Sequence, residues 1–563
     1  MNLIVGIFLI FWFLRQIKSI LFWLYLWQLK EYHVGRFIDH FRTEKGKNLL
    51  FNKRIGIKII VATILAAYII YAHFAYLYFF IEISLVVLSI TGYFLGWVLY
   101  VLEVIKFFLE LIKKQLKIPI FTSKVIVLTL AAITITLLFI SLLYKIADFV
   151  YLHFTKGNFL GFIFSFLIGA LLFDIFTPLI VSIIVLSFQP IAALLRNQII
   201  KKAKKKRETF KDLLVIGICG SYGKTSTKEF LATILEEKFG EKVLKTKEHQ
   251  NSDVGISRCI LENLNENHKI FVVEMGAYNK GGIKLLCDIV KPKIGIITGV
   301  NEQHLALFGS MKNLISAEGG KELIESLPEN GLVIFNGENE MLRKIYQETK
   351  IKKKIVGVSK KDFDLWAGNI KVKKDVLFFQ VFSKDGEMAD LNLNLIGEQN
   401  IQNLLLAICC AKELGMNLKE ISKGAKEIKQ EQSGVKLLKT KDGLNIIDST
   451  YSANPDSVFA HLNYLKVWQG KKVIVMPCLI ELGKASKNIH KKIGEKIFEI
   501  CDLAIITTKD RFREIREGAK EKAIYLEKPK EIYERIKPFN GENDIILFEG
   551  RLPKEFLNLV YEN

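Results

Sequence analysis

A helical membrane bundle followed by two α/β domains is the fold class this sequence predicts, on three observations. The first third holds long apolar segments; a β-type run, a glycine-rich loop and a helical pattern follow one another across residues 213–239; and short apolar strands then alternate with helices. At 563 residues the chain is too long for one core, and a prior of about 150 residues per domain suggests three or four units. The expected divisions are 1–207 for the transmembrane helices with a basic juxtamembrane linker, 208–390 for a central domain around the glycine-rich loop, and 391–563 for a smaller Rossmann-like domain.

The membrane elements come first in the chain. Ile59 to Tyr78, Ile83 to Leu102, Val125 to Tyr144 and Phe159 to Phe188 are each near or above the roughly 20 residues that cross a hydrocarbon core. Leu3 to Leu14 is shorter, and Arg15 and Lys18 separate it from Ile20 to Trp27, so it is read as crossing, re-entrant or interfacial. No positive stretch precedes it and no small-x-small site follows, which argues against a cleavable signal. Lys30 to Lys58 is rich in Lys and Arg, the turn around Glu82 has none, and the next connection carries Lys106, Lys113, Lys114, Lys117 and Lys124. That alternation predicts a multi-pass protein of the cell membrane with everything after residue 190 in the cytoplasm. Asp174 lies within the last apolar span, where a carboxylate is by default a functional residue; the competing reading is a bundle hydrogen bond or a break near Pro178.

Charge and cysteine usage exclude other classes. The net charge is +21, but the densest run, Lys201-Lys202-Ala203-Lys204-Lys205-Lys206-Arg207, directly follows an apolar span, so anionic lipid headgroups are its nearer partner. No stripe of basic residues interleaved with aromatics speaks for nucleic acid. Seven cysteines without a Cys-x-x-Cys read as buried thiols in a reducing compartment.

The central domain carries the chemistry. Leu213 to Ile218 is a strand pattern, Gly220-Ser221-Tyr222-Gly223-Lys224-Thr225 follows at once, and Ser226 to Phe239 is helical. This is the strand, loop, helix context of a P-loop: glycines let backbone N–H groups converge on phosphate, Lys224 reaches the outer phosphates and Thr225 can ligate magnesium. The spacing is shorter than the full Walker pattern, and a structural turn is the bland alternative. Two more buried strands, Ile270 to Glu274 and Ile294 to Val300, end in Glu274 and in Asn301-Glu302-Gln303-His304. Parallel sheets gather ligands at the carboxyl ends of their strands, which would bring Glu274 and His304 to the loop as metal ligands. Taken singly, Glu274 could be a helix cap and His304 a surface residue.

On these residues the chain resembles the Mur ligase family, and within it the type that adds D-alanyl-D-alanine to a muramoyl peptide. The resemblance covers about residues 211 to 563. Gly220 to Glu229 is similar to the family ATP loop, Asn251-Ser252-Asp253-Val254-Gly255 to its substrate loop, and Glu274-Met275-Gly276-Ala277 and His304 to Ser310 to its magnesium segments. Gly397 to Asn403 resembles the stretch whose asparagines contact nucleotide, Asp448 to Ser457 the C-terminal signature, and Glu481-Leu482-Gly483 follows in order. The resemblance implies ATP and Mg2+ as cofactors, a carboxylate activated as an acyl phosphate and attacked by an amine, and D-alanyl-D-alanine and a muramoyl-peptide or lipid-linked acceptor as substrates. It implies ATP contacts at Gly220, Ser221, Tyr222, Gly223, Lys224, Thr225, Ser226, Asn400, Asn403 and Asp448; metal ligands Thr225, Glu274 and His304; and substrate contacts at Asn251, Asp253 and Asn454. Lys224, Glu274 and His304 would be catalytic, and Asn400 and Asn403 would act from a mobile C-terminal domain.

Three departures qualify the resemblance. The family's carbamylated lysine, sought by counting back from Leu327-Pro328-Glu329-Asn330-Gly331, falls on Gly320. Lys321 by a local shift, Glu318 as a substitute anion, or a weak metal site are the alternatives. Val435 stands where an arginine is expected after Gly434, and Ser449 where a second Asp often follows Asp448. Membrane segments occupy the place of the domain that binds the UDP-sugar, which suggests an acceptor presented at the membrane. Rival readings are a ligase for another acidic polymer such as poly-γ-glutamate, an ATP-driven membrane transport component, and an inactive scaffold.

Overall fold

A computed structural model describes residues 3–74, 79–113, 115–247, 250–358, 362–451 and 453–562, so Tyr78 and Ser452 of the motifs above lie outside the described residues. The chain divides into two compact units, Met1–Leu194 and Leu195–Asn563.

The first unit is helical, with long helices Leu3–Leu29, Lys53–Phe74, Phe79–Ile112, Ser123–Phe149 and Phe159–Ser187 and short ones Val34–His40 and Glu44–Leu50. The N-terminal segment, expected to be interrupted at Arg15 and Lys18, is one continuous helix. Both charges find partners inside the bundle: Arg15 Nε lies 2.9 Å from Glu103 and its NH1 2.8 Å from Asp174, and Lys18 lies 2.8 Å from Glu110. Among the described residues four stretches are long and apolar enough to cross a membrane: Val5–Leu29, Glu44–Phe74, Ser123–Phe154 and Phe159–Thr209. The expected span Ile83 to Leu102 falls within the helix Phe79–Ile112. Inner positions such as Trp12, Leu65, Tyr100, Leu143, Leu167 and Leu171 form a buried core, while Ile60, Ile70, Phe94, Leu130, Leu138 and Leu179 are exposed.

Asp174 is saturated by partners within this unit. Its buried carboxylate takes Lys58 Nζ at 2.7 Å, the Tyr100 hydroxyl at 2.8 Å, Arg15 and the Gln16 amide. Lys58 also reaches Glu103 at 3.1 Å, so two acids and two bases from four helices cancel. Pro178 sits inside the helix without ending it. The arrangement corresponds to the bundle-bonding reading of Asp174, with no break at the proline.

The second unit holds two sheets. The larger consists of β1 (Leu214–Cys219), β2 (Val243–Lys245), β3 (Ile270–Glu274), β4 (Ile294–Ile297), β5 (Leu332–Asn336), β6 (Lys352–Val358), β7 (Leu365–Val372), β8 (Leu377–Ser383) and β9 (Met388–Leu393), in spatial order β2-β3-β1-β4-β5-β6-β7-β8-β9. It is parallel as far as β7 and antiparallel beyond. Successive side chains of a strand point to opposite faces. Accordingly Ile216 and Ile218 enter one core and Val215 and Cys219 the other, with helices on both sides. The antiparallel β7–β9 meander was not foreseen from sequence; β8 shows its alternation, with Leu377, Phe379 and Val381 buried between half-buried neighbours.

The smaller sheet consists of β10 (Lys436–Lys439), β11 (Asn445–Ser449), β12 (Lys472–Met476), β13 (Leu503–Ile506), β14 (Ala523–Tyr525) and β15 (Ile545–Glu549), in order β10-β11-β15-β12-β13-β14, parallel except for β10. One correction to the expected boundary follows from packing. The helix Gln399–Glu413, read from sequence as the opening of the C-terminal domain, buries Leu404, Leu405 and Ile408 in the same core as Ile216 and Phe230. It belongs with the central sheet, and the change of sheet falls between Ala425 and Lys436 rather than near 390.

Candidate active site

The site begins where β1 ends. Gly220 has φ 145° and Gly223 φ 74°, and a Cβ at Gly223 would run into Asn403 Oδ1. Glycine is therefore required there twice over, by the left-handed backbone and by the close approach. Gly223 caps the 16-residue helix Lys224–Phe239 without a side-chain bond, which leaves the first-turn N–H groups and the positive end of the helix dipole facing the loop. Lys224 Nζ folds back onto the carbonyl of Gly220. Ser221 N donates to Gly299 O at 2.7 Å, tying the loop to the end of β4. Burial, aided by the charge of Asp456, pushes the Tyr222 phenol up to about 12, so it remains a neutral donor and acceptor.

The strand-end residues arrive from both sides. Glu274, last residue of β3, accepts from Asn251 Nδ2 at 2.9 Å, and its other oxygen lies 3.7 Å from the buried Lys228 Nζ, which also pairs with Glu229 at 2.9 Å. His304 follows β4 on a short turn. Its Nδ1 is 2.8 Å from Glu318 Oε1 and its Nε2 3.9 Å from Glu481 Oε2. Glu318 Oε2 in turn accepts from Ser221 Oγ at 2.6 Å. Burial pushes the Glu318 carboxyl up, but the bonds from His304 and Ser221 and the charges of His304 and Lys224 outweigh it and hold it below the usual range.

The smaller domain closes one side. Asn301 Nδ2 donates to Asp456 Oδ2 at 2.7 Å and to Asn454 Oδ1 at 3.3 Å, and Ala306 N donates to Glu481 O at 3.1 Å. Glu481 has φ 67°, an unusual backbone for a side-chain residue. Burial pushes the Asp456 carboxyl up, partly offset by Asn301.

Of the residues expected from sequence, the structure gathers Gly220 to Lys224, His304, Asn403 and, through Asn301, Asn454 around the loop; Asn251 meets Glu274. Thr227 Oγ1 donates to Asn403 at 3.4 Å, and Ser226 Oγ to Ser433 O at 3.2 Å. Three residues are otherwise engaged. Asn400 is buried and donates to Ile396 O at 2.8 Å, and it sits with Asn403 on a helix of the central domain, not on the C-terminal domain expected. Asp253 takes Arg196 Nε at 2.8 Å. Asp448 accepts from Thr450 and, at 2.7 Å, from the Tyr561 hydroxyl. Gly320 starts a helix at φ 80° with Ile297 against it, Lys321 is surface-exposed beside Glu348 at 3.2 Å, and Val435 is buried in the smaller core. Asn301, Asp456 and Lys228 were missed as site residues although they stand inside the quoted motifs; nothing in the spacing separates them from their neighbours.

Among the described residues no three His, Cys, Asp or Glu side chains gather closely enough to cage a metal. Oxygen donors at Glu274 and Thr225 beside a phosphate loop, with the His304 imidazole backed by Glu318, nonetheless suit magnesium, which takes one or two protein carboxylates and completes its shell with phosphate and water.

Fold and loop define a two-domain α/β protein built around a phosphate-binding P-loop. Residues 218–411 match the Mur ligase middle domain and residues 435–552 the Mur ligase, glutamate ligase domain. The chain belongs to the Mur ligase family. It is 31% identical over 284 residues to UDP-N-acetylmuramoyl-tripeptide--D-alanyl-D-alanine ligase of Haemophilus influenzae, covering 50% of this chain and 61% of that one. The Bacillus subtilis enzyme of the same name is 28% identical over 343 residues, covering 60% of this chain and 72% of its own. The chain thus spans under two thirds of the Haemophilus relative. A crystal structure of MurF from Acinetobacter baumannii superposes with TM-score 0.60 at 26% identity, covering 65% of this chain and 81% of that one. MurF from Thermotoga maritima in complex with ADP shares the fold, with TM-score 0.58 at 23% identity over 65% and 83% of the two chains.

Proposed function

We propose that this chain is a membrane-anchored, ATP-dependent amide ligase of cell-wall precursor synthesis that joins D-alanyl-D-alanine to a muramoyl peptide. The observation that carries the reading is the unbroken run of contacts from the P-loop through Ser221, Glu318 and His304 to Glu481, which ties a phosphate cradle to both domains. The names of the relatives supply the substrate class.

In this reading the bond from the bridging oxygen to the γ-phosphorus of ATP breaks, ADP leaves and the peptide carboxylate becomes an acyl phosphate. The dipeptide amine then forms a bond to the acyl carbon, phosphate departs and one proton is released. Lys224 exchanges Gly220 O for the outer phosphates, and the loop N–H groups hold the remainder. Magnesium, when bound, offsets the charge that develops on the transferring phosphoryl, with Thr225, Glu274 and His304 to hold it. Asn403 borders the nucleotide from beside Gly223, while Asn400 braces the helix that carries it. Asn251 presents the acceptor side of Glu274, and the Asn301–Asp456 and Ala306–Glu481 bonds keep the smaller domain closed so that water does not consume the acyl phosphate.

The first unit is the anchor. Its outward Ile60, Ile70, Leu130, Leu138 and Leu179 are exposed, and leaving them in water forfeits about 25 cal/mol per Å² of apolar surface, which lipid restores. The run Lys201 to Arg207 then meets anionic headgroups and leaves the ligase on the cytoplasmic side. An acceptor carried on lipid is concentrated where the anchor holds the enzyme.

The test offers full-length protein in detergent ATP, magnesium, D-alanyl-D-alanine and matched UDP-linked and lipid-linked muramoyl tripeptides, with products read by mass spectrometry. Faster conversion of the lipid-linked form is expected. Conversion of the UDP-linked form alone would remove the claim about the acceptor, and no amide from either would remove the ligase reading.

A further inference from the structure

Glu318 is a buried acid with one oxygen on each half of the site. Oε2 accepts from Ser221 of the P-loop at 2.6 Å and Oε1 lies 2.8 Å from His304 Nδ1. A carboxylate offers about four lone-pair sites, and these two bonds occupy two of them. The contact at Nδ1 turns Nε2 to the side that faces Glu481. Lys224, the residue that meets phosphate, adds its charge to Glu318's surroundings.

The lysines nearby are elsewhere. Lys321 is surface-exposed and paired with Glu348 at 3.2 Å. Position 320 admits no long side chain, because Gly320 is left-handed and a Cβ would collide with Ile297. Neither position 320 nor Lys321 therefore offers a lysine carbamate that reaches His304, whereas Glu318 reaches it with a carboxylate already in the sequence.

Building on the ligase reading, we infer that Glu318 is the built-in carboxylate of the nucleotide and metal site, which fixes His304 and the P-loop serine for a divalent cation without carbon dioxide or a modified lysine.

The experiment uses the full chain in detergent with ADP and Mn2+ as a paramagnetic stand-in for magnesium. Free Mn2+ is read by electron paramagnetic resonance in buffer purged of carbon dioxide and in buffer with bicarbonate, and ADP binding is measured separately without metal. Wild type is expected to bind Mn2+ within about twofold in the two buffers, and Lys321→Ala to match it. Glu318→Gln is expected to lose Mn2+ affinity by about 10- to 100-fold, the usual cost of a missing metal-orienting partner, while ADP alone still binds. Glu318→Lys, able to form a carbamate, is expected to regain Mn2+ only with bicarbonate, which covers the case of a misfolded glutamine variant. Wild-type affinity that falls tenfold without bicarbonate, or a Glu318→Gln variant that binds ADP and holds Mn2+ as wild type does, would overturn the inference. Failure of wild type to bind ADP at all would instead overturn the ligase reading beneath it.

Discussion

Asn400 and Asn403 lie three residues apart on one helix, yet the fold gives them different work. Asn400 bonds the carbonyl of Ile396 in the interior, and Asn403 meets Gly223 and Thr227 at the loop. Asn400→Ala leaves a buried carbonyl unpaired and is expected to lower stability by about 1–3 kcal/mol in urea unfolding, whereas Asn403→Ala weakens ADP binding about tenfold with the unfolding midpoint little changed. Equal effects of the two on ADP binding would contradict this assignment. Glu318 adds a pH dependence. Its folded carboxyl is held below the ordinary 4.5, so the stability it contributes is fully present above that value and is lost as pH falls through the lower folded one. The stability gap between wild type and Glu318→Gln should therefore close as pH falls below 4.5 in a series of urea titrations. A gap that still widens below 4.5 would contradict the sign. Residues of this kind divide by legibility. The glycines of the loop can be read from sequence because positive φ demands them; Glu318 stands there only as one of three alternatives, because its partners lie 97 and 14 positions away. Counting back from Leu327 to Gly331 assumed a fixed spacing, and the acid in fact sits at the end of the helix Met311–Ala317.

At the scale of elements, strand patterns place β1, β3 and β4 to within a few residues, while the β7–β9 meander is not read from sequence. Two helices differ as well. The N-terminal helix was read as interrupted because Arg15 and Lys18 look unaffordable in an apolar segment, and only the acids of other helices make them tolerable. The helix Gln399–Glu413 was assigned by its order in the chain, while packing assigns it to the sheet it covers. The ion-pair hub carries a prediction of its own. Asp174→Ala leaves the buried Arg15 and Lys58 to share Glu103, which costs about 3–5 kcal/mol. Trp12, whose indole donates to Ala170 O at 3.2 Å in the same bundle, reports this unfolding by fluorescence, and an unshifted midpoint would show the hub to be energetically idle.

For the whole molecule, the two family domains lie within residues 218–552, and the helical unit before them carries stretches long and apolar enough to cross a membrane. Function was legible from sequence to the extent that phosphate binding, strand-end acids and motif order all pointed the same way. The most direct measurement of the central claim is phosphate release by the full-length protein with ATP, magnesium and muramoyl tripeptide, with and without D-alanyl-D-alanine. The predicted result is release that requires the dipeptide, matches amide product one to one, and falls roughly 100- to 1,000-fold in Lys224→Ala. Release that proceeds equally without the dipeptide, or that is unchanged in Lys224→Ala, would contradict the account.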